Sequence, residues 1–299
     1  MNPNKNTQSI VVLGAGFLSK NITSYLINNS YKVDLIDRNM CDLLNKKSVS
    51  SLLKRIPPSS IFIITAAITR LADEYIYNPK AAYEKNIQII KNILEGLPND
   101  TKKVIFLSTV DVYGINSTLP ISELNKTEPH SFYSKSKLIS EDILKKESKL
   151  KGFDLAILRL SGSYGQGDSK GSTLHRLVAS AISEGSIYLF CNPNIERDYI
   201  TANDVAPTTE QIIRNNTAGV FNVVTGDSYS IFTISKNIFS ILGLKSNIKI
   251  QMDPYEEIPF KVKFDAQHLL NNLTNFKMTS LEDGLKSYID NFINNKNDK

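Results

Sequence analysis

Apolar runs rich in β-branched residues recur through the first half of the chain, and between them apolar residues return every three or four positions. The runs SIVVL (9–13), YKVDLI (31–36), SIFIITA (60–66), KVIFLS (103–108) and DLAILRL (154–160) predict strands. The stretches at 17–29, 46–55, 79–95 and 132–149 predict amphipathic helices. Strands that are apolar on both faces and separated by helices belong in a parallel sheet covered on both sides. The expected fold is therefore α/β, a doubly wound parallel sheet that takes its ligands at the carboxyl ends of the strands.

Beyond residue 165 the rhythm loosens. Helical patterns at 173–183, 204–214, 233–242 and 281–294 alternate with short strand patterns at 187–190 and 219–224. The expected organisation is a dinucleotide-binding domain of the Rossmann type over 1–165 and a smaller C-terminal substrate-binding lobe over 166–299, some of whose segments return to the first domain.

Composition narrows the function classes. Hydrophobic content of 41% with 22% charged residues is that of an ordinary globular protein. No apolar run approaches the roughly 18–20 residues that span a bilayer, and no charged-then-apolar leader opens the chain. A soluble, cytoplasmic protein without a membrane partner is expected. The net charge of +5, from 35 basic and 30 acidic residues, is mild. Its densest run, LKKESKLK at 144–151, mixes in a glutamate and reads as a solvated helix face, so no nucleic-acid partner is expected. Cys41 and Cys191 form no spaced framework, and His130, His175 and His268 lie at no ligand spacing. Neither a metal site nor a Ser-His-Asp enzyme is expected.

The first strand runs into IVVLGAGFLSKNITSYL, with Gly14 and Gly16 at the turn into a helix. Glycine there lets the backbone approach a pyrophosphate closely, and the helix start offers free N–H groups to the anion. Ser19 stands where a third glycine is usual and is small enough for close helix-to-strand packing. Asp37 ends the second strand and can accept hydrogen bonds from the adenosine ribose hydroxyls, which favours NAD(H). Arg38 beside it could hold a 2′-phosphate, so NADP(H) remains possible. Asp42 can bond the adenine or cap the following helix.

Further along, KVIFLSTVDVYG leaves Ser108, Thr109 and Asp111 at a strand's carboxyl end, and the helix carrying Tyr133 and Lys137 follows. Positions four apart share a helix face, so a hydroxyl, a phenol and an ammonium can converge there. Alone, the pair reads better as a helix-start aromatic on the core, Tyr133, and a solvated charge, Lys137. The ordered set of segments says more. VLGAGFLS, IFIITAA, NPKAAYEKNIQIIKNILE, FLSTVDVYG, YSKSK, LRLSGSYGQG, RDYITANDVA, FNVVTG and SLEDGLKSYIDNF together resemble the NAD-dependent epimerase/dehydratase family, the extended short-chain dehydrogenase/reductases that modify nucleotide sugars.

The resemblance implies that Thr109, Tyr133 and Lys137 are catalytic, with Ser108 as the fallback for Thr109. It implies that Gly14, Gly16, Phe17, Leu18, Asp37, Arg38, Asp42, Leu43, Ala66, Ala67, Asn86 and Lys137 hold the cofactor. Tyr133 would exchange a proton with the sugar oxygen, its pKa lowered by Lys137 and by a positively charged nicotinamide. Ser108, Asp111, Gly162 and Arg197 would lie against the substrate.

Departures from the pattern shape the reaction expected. Val110-Asp111 replaces the Asp-Glu pair that drives water loss in some members, which disfavours a 4,6-dehydratase; Asp111 is left as a proton carrier or a solvated turn carboxylate. Gly162 stands where an asparagine usually touches the diphosphate. Arg197 matches a diphosphate-binding arginine, or else pairs with Asp198 or another carboxylate of the lobe. The leading expectation is an NAD(P)-dependent reductase of a nucleotide-linked 4-keto-deoxyhexose at C4, in the making of surface polysaccharide (O-antigen) sugars. The alternatives are a nucleotide-sugar 4-epimerase and a non-catalytic dinucleotide-binding regulator. The resemblance also implies a homodimer.

Overall fold

A computed structural model describes residues 9–251 and 260–297. β1 (Ser9–Leu13) leads into α1 (Phe17–Asn28), β2 (Lys32–Ile36), α2 (Lys46–Leu53) and β3 (Ile61–Ile64). A short α3 (Asp73–Tyr77) and the long α4 (Pro79–Gly96) precede β4 (Lys103–Thr109), a 3-10 turn (Val110–Tyr113), α5 (Phe132–Lys151) and β5 (Asp154–Leu160). Then come β6 (Gly162–Tyr164), α6 (Thr173–Glu184), β7 (Ile187–Leu189), β8 (Glu196–Thr201), α7 (Ala202–Arg214) and β9 (Gly219–Val223). β10 (Ser228–Ser230), α8 (Ile231–Ile241), β11 (Ile248–Ile250), α9 (Gln267–Leu270) and α10 (Leu281–Asn297) complete the chain.

The doubly wound sheet is present, with six parallel strands in the order β2-β1-β3-β4-β5-β9. Alternation along β1 shows why both faces are apolar. Ile10 and Val12 pack with Ile22 and Leu26 of α1 and Val205 and Ile212 of α7. Val11 and Leu13 pack with Val49 and Leu53 of α2 and Ile90 and Ile93 of α4. The chain steps from β1 outward to β2, then returns to β3 on the other side of β1. The helices that follow β1 and β3, α1 and α4, therefore lie on opposite faces of the sheet, and such a switch point at the carboxyl ends is where these sheets bind ligands.

The segment at 219–224, read from the sequence as a short later strand, joins the main sheet as β9 beside β5. β6, β8 and β10 form a second sheet, β7 pairs with β11, and α6, α8 and α10 enclose a separate core around Tyr164, Val178, Ile238 and Leu285. β8 (ERDYIT) lacks the apolar signature of a strand. It forms nonetheless because Asp198 is satisfied internally: Ser161 Oγ donates to it at 2.8 Å, Thr225 N at 3.1 Å and Gly226 N at 2.8 Å. Among the described residues no helix is long and apolar enough to cross a membrane.

Candidate active site

At the end of β1, Gly14 has φ +109°, and a Cβ there would lie 2.7 Å from Ala66 N and 2.8 Å from Thr65 Oγ1. Only glycine lets this turn lie against the loop after β3. Thr65 N and Ala66 N donate to Leu13 O at 3.0 and 2.9 Å, locking the two loops together. Gly16 is the N-cap of α1, with no side-chain cap and no acidic residue in the first turn. The first N–H groups of a helix, here those of Phe17 and Leu18, have no intrahelical acceptor. A Cβ on Gly16 would find only Ser19 Oγ, 4.0 Å away, so the approach to those donors is open. Ser19 is buried and donates to Gly16 O at 2.8 Å, which makes it a packing residue of the turn.

Asp37 presents one oxygen to the protein and one away from it. Its Oδ1 accepts from Asn39 N and Met40 N, both at 2.9 Å, while Oδ2 has no hydrogen-bond partner among the described residues. Arg38 is exposed beside it. Asp42 does not cap α2: its Oδ1 accepts from Leu44 N at 3.0 Å, and Asn45 is the N-cap, accepting from Lys47 N and Ser48 N. Leu43 is fixed through its carbonyl, which accepts from Asn92 Nδ2 at 3.0 Å. Ala66 and Ala67 are half-buried in the loop after β3. These groups fit a dinucleotide. The glycine turn and helix start suit a pyrophosphate, and the free oxygen of Asp37 suits a ribose hydroxyl pair.

Asn86, expected against the cofactor, is committed to the protein. Its Oδ1 accepts from Ile68 N at 2.7 Å, and its Nδ2 donates to Ile68 O at 3.1 Å and Ser136 Oγ at 3.3 Å. It ties the loop after β3 to α5. Ser136, which has no role in the sequence pattern, is wholly buried and donates to Tyr133 O at 2.7 Å. Ser134 N is capped by Ser131 Oγ at 3.0 Å, so both serines of YSKSK hold the helix start that carries Tyr133.

Thr109 ends β4, and its Oγ1 accepts from Asp111 N at 3.2 Å to start the 3-10 turn. α5 packs on β4 and on this turn. Lys137 is 4% exposed; its Nζ donates to Leu107 O at 2.7 Å and lies 4.6 Å from the Phe106 ring centroid and 5.9 Å from that of Tyr133. Arg70, from the loop after β3, stands with Cζ 5.7 Å from the Tyr133 ring centroid and Nη2 2.8 Å from Asp111 Oδ2.

Ser108 does not reach the substrate side. Neighbouring residues of a strand point to opposite faces, and the buried Ser108 hydroxyl donates to Glu141 Oε1 at 2.6 Å. Glu141 is in turn held by Arg159 through Nη2 at 2.6 Å and Nε at 3.1 Å. The substrate-binding and fallback roles expected for Ser108 are thereby withdrawn.

The electrostatics also differ from expectation. Burial, reinforced by Asp111, pushes the Tyr133 phenol up to about 12, and the cation opposing this is Arg70. Burial pushes Lys137 down to about 8, with Glu141 pulling the other way.

On the far side, a Cβ on Gly162 would lie 2.7 Å from Tyr199 Cδ1, so the tyrosine ring fills the place of a side chain there. Arg197 does not pair with Asp198. It donates from Nη1 to Glu196 O at 3.1 Å and lies 4.4 Å from the Phe260 ring centroid.

Proteins built in this way are short-chain dehydrogenase/reductases of the extended type, and the chain is an enzyme of that class. More narrowly, residues 10–224 match the model of the NAD dependent epimerase/dehydratase family, to which the chain belongs. It is 27% identical to a GDP-6-deoxy-D-talose 4-dehydrogenase of Aggregatibacter actinomycetemcomitans, over 91% of this chain and 93% of the relative. It is 26% identical to a GDP-L-colitose synthase of Yersinia pseudotuberculosis, over 96% and 99%. Its fold is that of a UDP-glucose 4-epimerase from Thermotoga maritima solved with UDP-glucose, with TM-score 0.86, 21% identity and coverage of 97% and 100%. The cofactor the family names is NAD.

Arg70, Tyr75, Glu141 and Tyr199 have no place in the sequence reading. Tyr75 OH accepts from Tyr133 N at 3.4 Å. The available signal for Arg70 was its place, six residues after the end of the apolar strand β3, at the carboxyl edge of the sheet.

Proposed function

We propose that this protein reduces the keto group at C4 of a nucleotide-linked 4-keto-deoxyhexose with NADH, forming a 6-deoxy or dideoxy sugar for surface polysaccharide. The observation that carries the direction is the likeness, 27% identity over 91% of this chain, to a relative named as a 4-dehydrogenase of a 6-deoxy sugar; the proton donor on this reading is the Tyr133 phenol. At neutral pH it is protonated and ready to give its proton to a ketone oxygen. A 4-epimerase must begin by taking a proton from a hydroxyl. Support for C4 comes from the relative named as a 4-dehydrogenase of a 6-deoxy sugar, since oxidation at that carbon is the reverse of this reduction.

Tyr133 Oη donates the proton, and the Thr109 hydroxyl orients the reacting oxygen. Lys137, anchored on Leu107 O, holds the nicotinamide ribose from the opposite side. The nicotinamide, when bound, supplies the hydride. Asp37 Oδ2 takes the adenosine ribose and repels a 2′-phosphate, which favours NADH over NADPH; Arg38 works against that preference. Arg197 reaches the diphosphate by leaving the Phe260 ring, and Gly162 contributes backbone only. Asp111 is paired with Arg70, so it is not the free acid that loss of water at C5 and C6 requires.

Incubation with a panel of nucleotide sugars and their 4-keto derivatives, with NADH and with NADPH, tests the proposal. It predicts one reduced cofactor consumed per product. Interconversion of 4-hydroxy epimers without net consumption would replace it with the epimerase.

A further inference from the structure

We propose that Arg70 belongs to the proton-transfer site: its guanidinium, held beside the Tyr133 ring by Asp111, is the cation that stabilises the Tyr133 phenolate, and Asp111 tempers it. The inference rests on Tyr133 being the acid–base group of the proposed reaction.

Two cations flank the ring at nearly equal distance, Arg70 at 5.7 Å and Lys137 at 5.9 Å from its centroid. They are not equivalent. Lys137 is directed at Leu107 O, 2.7 Å away, and burial pushes it down to about 8, so it sheds its charge in mildly alkaline solution. A guanidinium stays charged throughout the range in which proteins remain folded. The groups facing Tyr133 among the described residues are Arg70 from the loop after β3, Asp111 from the turn after β4, Lys137 from its own helix and the Tyr75 hydroxyl of α3. Of these, only Arg70 carries a permanent positive charge.

The bland alternative is a surface ion pair. Arg70 and Asp111 side chains are 54% and 36% exposed, and pairs of that kind contribute only about 0–1 kcal/mol to stability. That is why the inference can be tested: neither residue supports the core, yet a unit charge this close to a half-buried phenol shifts its ionisation by about one pH unit. Each single change leaves an unopposed charge near the ring, with opposite signs. Arg70→Met leaves Asp111, which favours the neutral phenol. Asp111→Asn leaves Arg70, which favours the phenolate.

The test is a titration of the full chain saturated with NAD, followed by the NMR signal of tyrosines labelled at Cζ, with Tyr133 assigned by its loss in Tyr133→Phe. The midpoint should rise by about one unit in Arg70→Met, fall by a similar amount in Asp111→Asn, and stay near the parent in Arg70→Lys and in the double variant. Melting temperatures should change little, which separates the effect from misfolding. A Tyr133 signal that responds to pH identically in all variants, whether or not it titrates, would overturn the inference. The readout needs no turnover, so failure to find a reducible sugar counts against the proposed reaction and leaves this result standing. Conversely, a fully active Tyr133→Phe removes the proton-transfer role without altering whether Arg70 moves the phenol.

Discussion

Two lysines lie buried toward opposite ends of the same strand. Lys103 opens β4, is 1% exposed and donates to Thr217 O at 2.8 Å. Lys137 reaches across from α5 to Leu107 O, near the strand's other end, at 2.7 Å. Burial lowers both pKa values, and one carboxylate opposes it in each case, Asp154 for Lys103 and Glu141 for Lys137. A depressed lysine is therefore no marker of an active site by itself. What differs is the company: Lys137 has Tyr133 and Phe106 near the carboxyl end of β4, whereas Lys103 faces the loop that joins α7 to β9.

The sharpest way to break the contrast is at the group beside Lys137. Tyr133→Phe should lower kcat by about 10²–10⁴-fold while cofactor affinity persists, measured by steady-state turnover and by NADH titration. Undiminished turnover would end the proton-transfer role. Next in size, Lys137→Met should lower kcat/KM on the order of 100-fold, while Lys103→Met should stay within about twofold of the parent under the same assay. Equal losses would mean that both lysines act only by supporting the fold.

A third effect appears in stability. Lys137 is near 8 in the folded chain against 10.5 when free. Between those values the unfolded chain binds more protons, so stability rises with pH across the window and the penalty is complete below it. Relative to Lys137→Met, the parent should gain up to roughly 3 kcal/mol from pH 8 to 10.5 in denaturant unfolding. A flat difference would show that the ammonium is better solvated than its burial implies. The smallest effect tests the same two ends of the sheet with carboxylates. Asp37→Asn, at the carboxyl end of β2, should shift the NADH-to-NADPH affinity ratio by about tenfold toward NADPH. Asp154→Asn, at the amino end of β5, should leave that ratio unchanged.

Much of this was legible in local spacing. Continuous apolar runs marked the main strands, and the positions of Gly14, Asp37, Tyr133 and Lys137 follow from patterns within single turns and helices. What escaped depends on contacts between distant segments. β8 was hidden because Asp198 is satisfied by hydrogen bonds from Ser161, Thr225 and Gly226, which no local window contains. Ser108 and Thr109 are adjacent and chemically alike, and only the face of β4 on which each lies separates them. Arg70 and Asp111 are far apart in sequence, and their pairing beside Tyr133 exists only once β3 and β4 lie side by side.

The most direct measurement follows the hydride itself. Nucleotide-linked 4-keto-deoxyhexoses are incubated with NADH carrying deuterium at both C4 positions of the nicotinamide, and the product is examined by mass and NMR. The proposed reductase predicts one deuterium at sugar C4 for each NADH oxidised. Keto sugar left unreduced and NADH unspent, while the corresponding 4-hydroxy sugars are interconverted without gaining deuterium, would contradict it.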